Sequence, residues 1–149
     1  MSTPRIDYHA ASPAAMKAML AMSAATNSLG LEHSLLELVK MRASQINGCA
    51  FCLDMHARDA RKAGESEWRL HVLPAWRETE LFSRREQAAL AWTEALTRVT
   101  EGHASDADYD FARSEFNDAE LVNLTLAITT INAWNRFGIG FRRPLPAEQ

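Results

Sequence analysis

Glycine and proline are scarce in this chain of 149 residues, 6 and 5 respectively, and runs in which apolar and polar residues alternate are absent. These shortages exclude a strand-rich sandwich or barrel. Apolar residues recurring at three and four positions make an all-α fold the expectation. No segment runs long enough without charge to cross a bilayer, and the opening MSTPRIDYHAASP lacks an apolar core of signal-peptide length, so a soluble cytoplasmic protein without membrane association is expected. A basic excess is also missing: Lys+Arg 16 stand against Asp+Glu 19, a formal net charge of -3. With no basic stripe for phosphates, nucleic acid is not an expected partner. Cysteine is nearly absent, with only two residues, Cys49 and Cys52. A chain of this length buries a real core without staples. In a reducing compartment so close a pair points instead to metal binding or redox chemistry.

No internal repeat, linker or low-complexity segment divides the chain, so one domain over residues 1–149 is expected, with its core from about residue 13 to 144. A first helix is expected over Pro13 to Ala25 and a second over His33 to Ile46, stopped by Asn47-Gly48. The cysteines open a third helix that Gly64 stops. A short helix starts at Ser66 or Glu67 and ends before Pro74, and PAWRETELF reads as a loop pinned by aromatics. Ser83 with Glu86 forms a capping box for a helix with Ala88, Trp92, Ala95, Leu96 and Val99 on one side. Ser105 with Asp108 opens a short helix. Asn117 with Glu120 opens a long one through Leu121, Leu124, Ile128, Ile131 and Trp134. Val122, Ala127 and Ala133 add apolar circumference to that last helix, which suits a central or subunit-interface position. The tail RRPLPAEQ is broken by proline.

On a helical wheel Cys49, Cys52 and His56 fall within a sector of roughly 60°. Leu53, Ala60 and Ala63 share it, whereas Arg58, Arg61 and Lys62 lie elsewhere, so the sulfurs and the imidazole are expected to face the interior. A thiol acts as a nucleophile only as thiolate, and a free cysteine, near pKa ~8.5, is mostly protonated at neutral pH. The first turn of a helix favours an anion by roughly 0.3 to 1 kcal/mol, while burial opposes ionisation. A base is therefore needed, and His56, one turn after Cys52, has the spacing to exchange its proton. Two other readings stay open on the residues alone. The cysteines can be small core residues, or they can be part of a zinc site completed by His33, Glu37 or Asp59, although no second C-x-x-C or H-x-x-x-H exists.

Glu37, then eleven residues, then Cys49-x-x-Cys52-x-x-x-His56 resembles the signature of the alkyl hydroperoxidase D (AhpD)-like family, in the carboxymuconolactone decarboxylase superfamily. ELVKMRASQINGCAFCLDMHARDARKAG, LPAWRETELFSRREQAALAWTEALT and INAWNRFGIGFRRP all resemble segments of these short helical proteins. The resemblance implies a compact AhpD-like helical domain assembled as a homotrimer or homohexamer. It implies a thiol peroxidase reducing alkyl hydroperoxides, with hydrogen peroxide a further candidate substrate, and with no cofactor beyond a redox-active Cys49–Cys52 disulfide. Cys52 would attack the peroxide through a sulfenic acid, Cys49 would resolve it, and Glu37 and His56 would relay protons. The reductant would be a dithiol or a lipoyl-type protein. Phe51 stands where the family's best-known member has a histidine, a departure that bears on the choice of reductant.

Periodicity disagrees with the resemblance over Glu37. The wheel of its helix puts Leu35, Leu36, Leu38, Val39, Ala43 and Ile46 on the apolar side and Glu37 roughly opposite, among solvated positions. His33, His71 and His103 read as surface or capping histidines, and Arg136 as a structural ion-pair partner. Two other functions share parts of this pattern. One is γ-carboxymuconolactone decarboxylation, which has no need of a C-x-x-C. The other is a non-enzymatic redox sensor whose disulfide forms without turnover.

Overall fold

The computed structural model describes residues 3–147; the last two residues of the proline-broken tail and the first two of the chain lie outside it. Nine α-helices are present among the described residues. They are α1 (Tyr8–Ala11), α2 (Pro13–Ser28), α3 (His33–Asn47), α4 (Ala50–Lys62), α5 (Glu67–Val72), α6 (Arg84–Thr97), α7 (Val99–Gly102), α8 (Asp106–Glu115) and α9 (Asp118–Gly140). None is long and apolar enough to cross a membrane.

The three capping boxes form as the sequence predicts: Ser83 with Glu86, Ser105 with Asp108, and Asn117 with Glu120. Each hydroxyl or amide oxygen accepts a backbone N–H otherwise left unpaired at the helix start, while the carboxylate takes the cap's own N–H. The PAWRETELF segment is more ordered than a loop. A 3-10 helix covers Leu73–Glu78 and buries Leu73 and Trp76. Two short helices, α1 and α7, are not apparent in the periodicity. The second explains Val99, expected to point inward but 46% exposed: α6 ends at Thr97, the backbone of its cap residue Arg98 leaves the helical region, and Val99 begins a new turn.

The most fully buried of the long helices is α3. It packs against α6, α9 and α4, and Leu35 to Val39 and Met41 to Ser44 are all buried. One side, with Leu35, Leu36 and Val39, meets Ala88 and Trp92 of α6 and Leu124 and Ile128 of α9. The other, with Leu38 and Met41, meets Ala60 of α4, Leu73, Trp76 and Leu90. A helix covered on all sides gives no clean amphipathic stripe, which is why Glu37 reads as solvated on a wheel and is nonetheless inside. Helix α9 covers one flank of α3 and leaves Val122 exposed. A third cluster, Tyr8, Met16 and Met19 against Trp134 and Phe137, fixes the N-terminal helices over the second half of α9.

Candidate active site

Helix α3 ends at Gly48, whose φ of 71° lies in the left-handed region, and the N–H groups of Gly48 and Cys49 both bond to the Ser44 carbonyl. Glycine takes this conformation without the penalty a side chain would add. The chain reverses there, and Cys49 becomes the N-cap of α4, its sulfur accepting the Cys52 N–H at 3.4 Å. Side-chain bonds hold this corner to α9. The Asn47 amide donates to Asn132 and Asn135, both at 2.9 Å, and Asn135 donates to the Ser44 hydroxyl at 3.0 Å. Such a buried network specifies one register for the turn provided its members are satisfied.

Cys49 and Cys52 are joined by a disulfide with their Cα atoms 5.3 Å apart, inside the usual range for the bond. Both are buried, at 1% and 3% exposure, facing inward as the wheel predicts. Their surroundings differ: Cys52 lines a cavity of about 720 Å³, and Cys49 is not among its lining residues. Gly138 of α9, itself on the cavity wall, packs against the pair: a Cβ there would sit 3.0 Å from the Cys49 sulfur and 3.6 Å from that of Cys52.

Glu37 and His56 line the same cavity as Cys52. Glu37 is 3% exposed, which corrects the solvated position that periodicity assigns to it. Its Oε1 takes the Lys40 ammonium at 3.0 Å, and its Oε2 lies 3.4 Å from His56 Nδ1. That second distance is long for a hydrogen bond, and both atoms are buried without a formed one. Burial raises the proton affinity of the Glu37 carboxyl, but His56 and Lys40 outweigh it and hold the group below its ordinary value. The carboxylate is thus the form present near neutral pH. Lys40 is a site residue that the sequence reading missed; its position one turn after Glu37 was the available signal.

The remaining candidates fall where their chemistry allows. His33 is exposed but borders the cavity, His71 is exposed, and His103 caps α7 with φ 53°. Arg136, expected in an ion pair, donates instead to the Asn132 carbonyl of its own helix at 2.9 Å. No group of three or more His, Cys, Asp or Glu able to hold a metal occurs among the described residues. The zinc reading therefore finds no ligand set here. Trp134, read from the sequence only as an apolar position of the last helix, and Arg143, not read as a site residue, both lie on the cavity wall; Arg143 reaches it only through the fold of the chain after α9.

Residues 13–95 match the model of the carboxymuconolactone decarboxylase family. A protein of Bacillus subtilis (strain 168), the uncharacterized protein YdfG, is 41% identical over 135 residues, spanning 91% of this chain and 92% of its own. A crystal structure of a protein of unknown function from Agrobacterium tumefaciens, provisionally assigned to AhpD antioxidant defence, superposes with a TM-score of 0.95 at 44% identity, over 98% of this chain and 100% of that one. The debrominase Bmp8 superposes with a TM-score of 0.81 at 15% identity, over 91% of this chain and 73% of its own, a likeness of fold alone. The chain belongs to the carboxymuconolactone decarboxylase family and is AhpD-like within it. Together with the Cys49–Cys52 disulfide, this makes it a redox-active protein of antioxidant type.

Proposed function

We propose that the protein is a thiol peroxidase that reduces organic hydroperoxides at Cys52. The observation that carries this reading is the shared cavity: Cys52, His56 and Glu37 line it together, and Cys49 is not part of its lining. The Cys52 thiolate sulfur attacks the terminal peroxide oxygen, the O–O bond breaks, and the alkoxide leaves as an alcohol with the proton taken from the thiol through His56 and Glu37. The Cys49 sulfur then attacks the Cys52 sulfenic acid, the S–S bond forms, the S–O bond breaks, and the hydroxide leaves as water with the proton from Cys49. An external dithiol or lipoyl-type protein returns two electrons and two protons. Glu37 Oε2 and His56 Nδ1, buried and not saturated by structural hydrogen bonds, have bonding capacity left for moving that proton. Lys40 keeps Glu37 ionised so that it can accept one.

Assembly as a homotrimer or homohexamer, the habit of similar short chains, accords with the exposure of Val122 on α9. The test of function is hydroperoxide consumption by the purified protein with a panel of dithiol reductants. Catalytic turnover with at least one is expected. Formation of the disulfide without turnover under any reductant would make the protein a redox sensor instead.

A further inference from the structure

Past the end of α9 the backbone turns through Arg142, a non-glycine residue at φ 55°. Its N–H bonds to the Ile139 carbonyl at 3.2 Å and the Arg143 N–H to the Gly138 carbonyl at 2.9 Å, the paired bonds by which a left-handed residue ends a helix. Glycine is usual at that place, and a side chain there costs of order 1 kcal/mol. The turn carries Arg143 back over the start of α4. Its guanidinium lies 4.2 Å from the Phe51 ring centre and 5.5 Å from that of Tyr8, and it donates to the Tyr8 hydroxyl at 3.1 Å. Phe51 immediately precedes Cys52, and all four side chains border the cavity.

The charges around that cavity do not cancel. Glu37 is taken by Lys40, and Asp59 and Lys62, unpaired with each other, add one charge of each sign to the lining. The guanidinium of Arg143 is the surplus. It has no carboxylate partner among the described residues, and stacking on two rings leaves donor N–H groups at its edge, since the Tyr8 hydroxyl uses only one of five. The rest of the lining includes the apolar side chains of Leu20, Met55, Ile131 and Trp134, and the volume of about 720 Å³ is that of a small-molecule site.

We propose that the cavity selects hydroperoxides bearing an anionic group, a carboxylate in the simplest case, on an apolar body, and that Arg143 is the specificity-determining residue. The anion sits on the guanidinium edge, the body lies along Ile131 and Trp134, and the peroxide reaches Cys52. The proposal rests on the peroxidase reading for its reaction but not for its binding step, so the two can fail separately.

The test compares a cumyl hydroperoxide carrying a para-carboxylate with its methyl ester, which has the same body without the charge. At low ionic strength kcat/KM for the acid is expected to exceed that for the ester by about tenfold or more, the size of one charge-assisted hydrogen-bonding contact, chiefly through KM. In Arg143→Gln that ratio is expected to fall to about one, and in Arg143→Lys to an intermediate value. Calorimetry with para-isopropylbenzoate, which has no peroxide, reads binding directly; Arg143→Gln should weaken it by about tenfold. Equal rates for acid and ester in the wild type, or a preference that survives Arg143→Gln, would overturn the proposal. Arg143-dependent binding of the benzoate with consumption of neither hydroperoxide would uphold it and overturn the peroxidase reading.

Discussion

Glu37 is the residue at which local pattern and tertiary position disagree most. Its carboxylate is buried between Lys40 and His56, and a buried charge persists only where partners repay its desolvation. Glu37→Gln keeps the size and removes the base. Peroxidase rate is expected to fall by roughly 10²-fold, a size typical of losing a general base. The reactive thiol of the reduced protein should alkylate with iodoacetamide only at higher pH than in the wild type. A carboxylate with a merely structural role would change stability and leave the pH profile of alkylation where it was. Cys49, Cys52 and His56 were legible as a set because all three lie within two turns of one helix. Glu37 became legible only through its spacing to them, and Arg143 not at all, because its place depends on a turn after α9 that brings distant segments together.

Among the elements, the closest approach that matters is that of α9 to the corner between α3 and α4. Gly138 allows it: a methyl group there would lie 3.0 Å from the Cys49 sulfur, which the disulfide holds in place. Two effects compete in Gly138→Ala. The helix gains about 1 kcal/mol from replacing glycine, and overpacking costs about 1–3 kcal/mol. The oxidised protein is therefore expected to be destabilised or at best unchanged, whereas in a Cys49→Ala background the same substitution should stabilise by up to about 1 kcal/mol. Denaturant unfolding of the four proteins measures the coupling. Equal effects in both backgrounds would show that α9 relaxes away from the sulfurs. The capped helices α6, α8 and α9 could be read from sequence because a capping box is a local signal. The short α1 and α7 carry too few residues to show a period, and the 3-10 turn at Leu73–Glu78 is held by burial of Leu73 and Trp76, which no local pattern announces.

For the whole molecule, the all-α class and the inward-facing cysteine helix followed from period and composition, but the layout around α3 did not. A helix buried on every side looks unlike the amphipathic helices that flank it. Part of what anchors α3 is ionic: Glu94 of α6 accepts from Arg42 of α3 and from the Trp76 indole, at 2.8 and 2.9 Å, and also pairs with Arg77. Burial raises the Glu94 carboxyl, but Arg77, Arg42 and Trp76 bring it below its ordinary value of 4.5. Folded carboxyls held low contribute stability that is complete above the unfolded value and lost as pH falls through the folded one. Acid should therefore begin to destabilise the protein below about pH 4.5 through Glu94 and Glu37. Glu94→Gln, which leaves Arg42 buried without its anion, should cost on the order of 3 kcal/mol at neutral pH and show a shallower loss in acid. A pH–stability curve of unchanged steepness would place the acid sensitivity in other groups.

The central claim is that Cys52 reacts first and Cys49 resolves, because only Cys52 lines the cavity with Glu37 and His56. Its most direct test is a single turnover of the reduced protein with one equivalent of hydroperoxide, followed by intact-mass analysis after alkylation of free thiols. The wild type should lose both thiols to the Cys49–Cys52 disulfide. Cys49→Ser should consume peroxide once and gain a single oxygen on Cys52, and Cys52→Ser should consume none. Peroxide loss that persists in Cys52→Ser and disappears in Cys49→Ser would contradict the account.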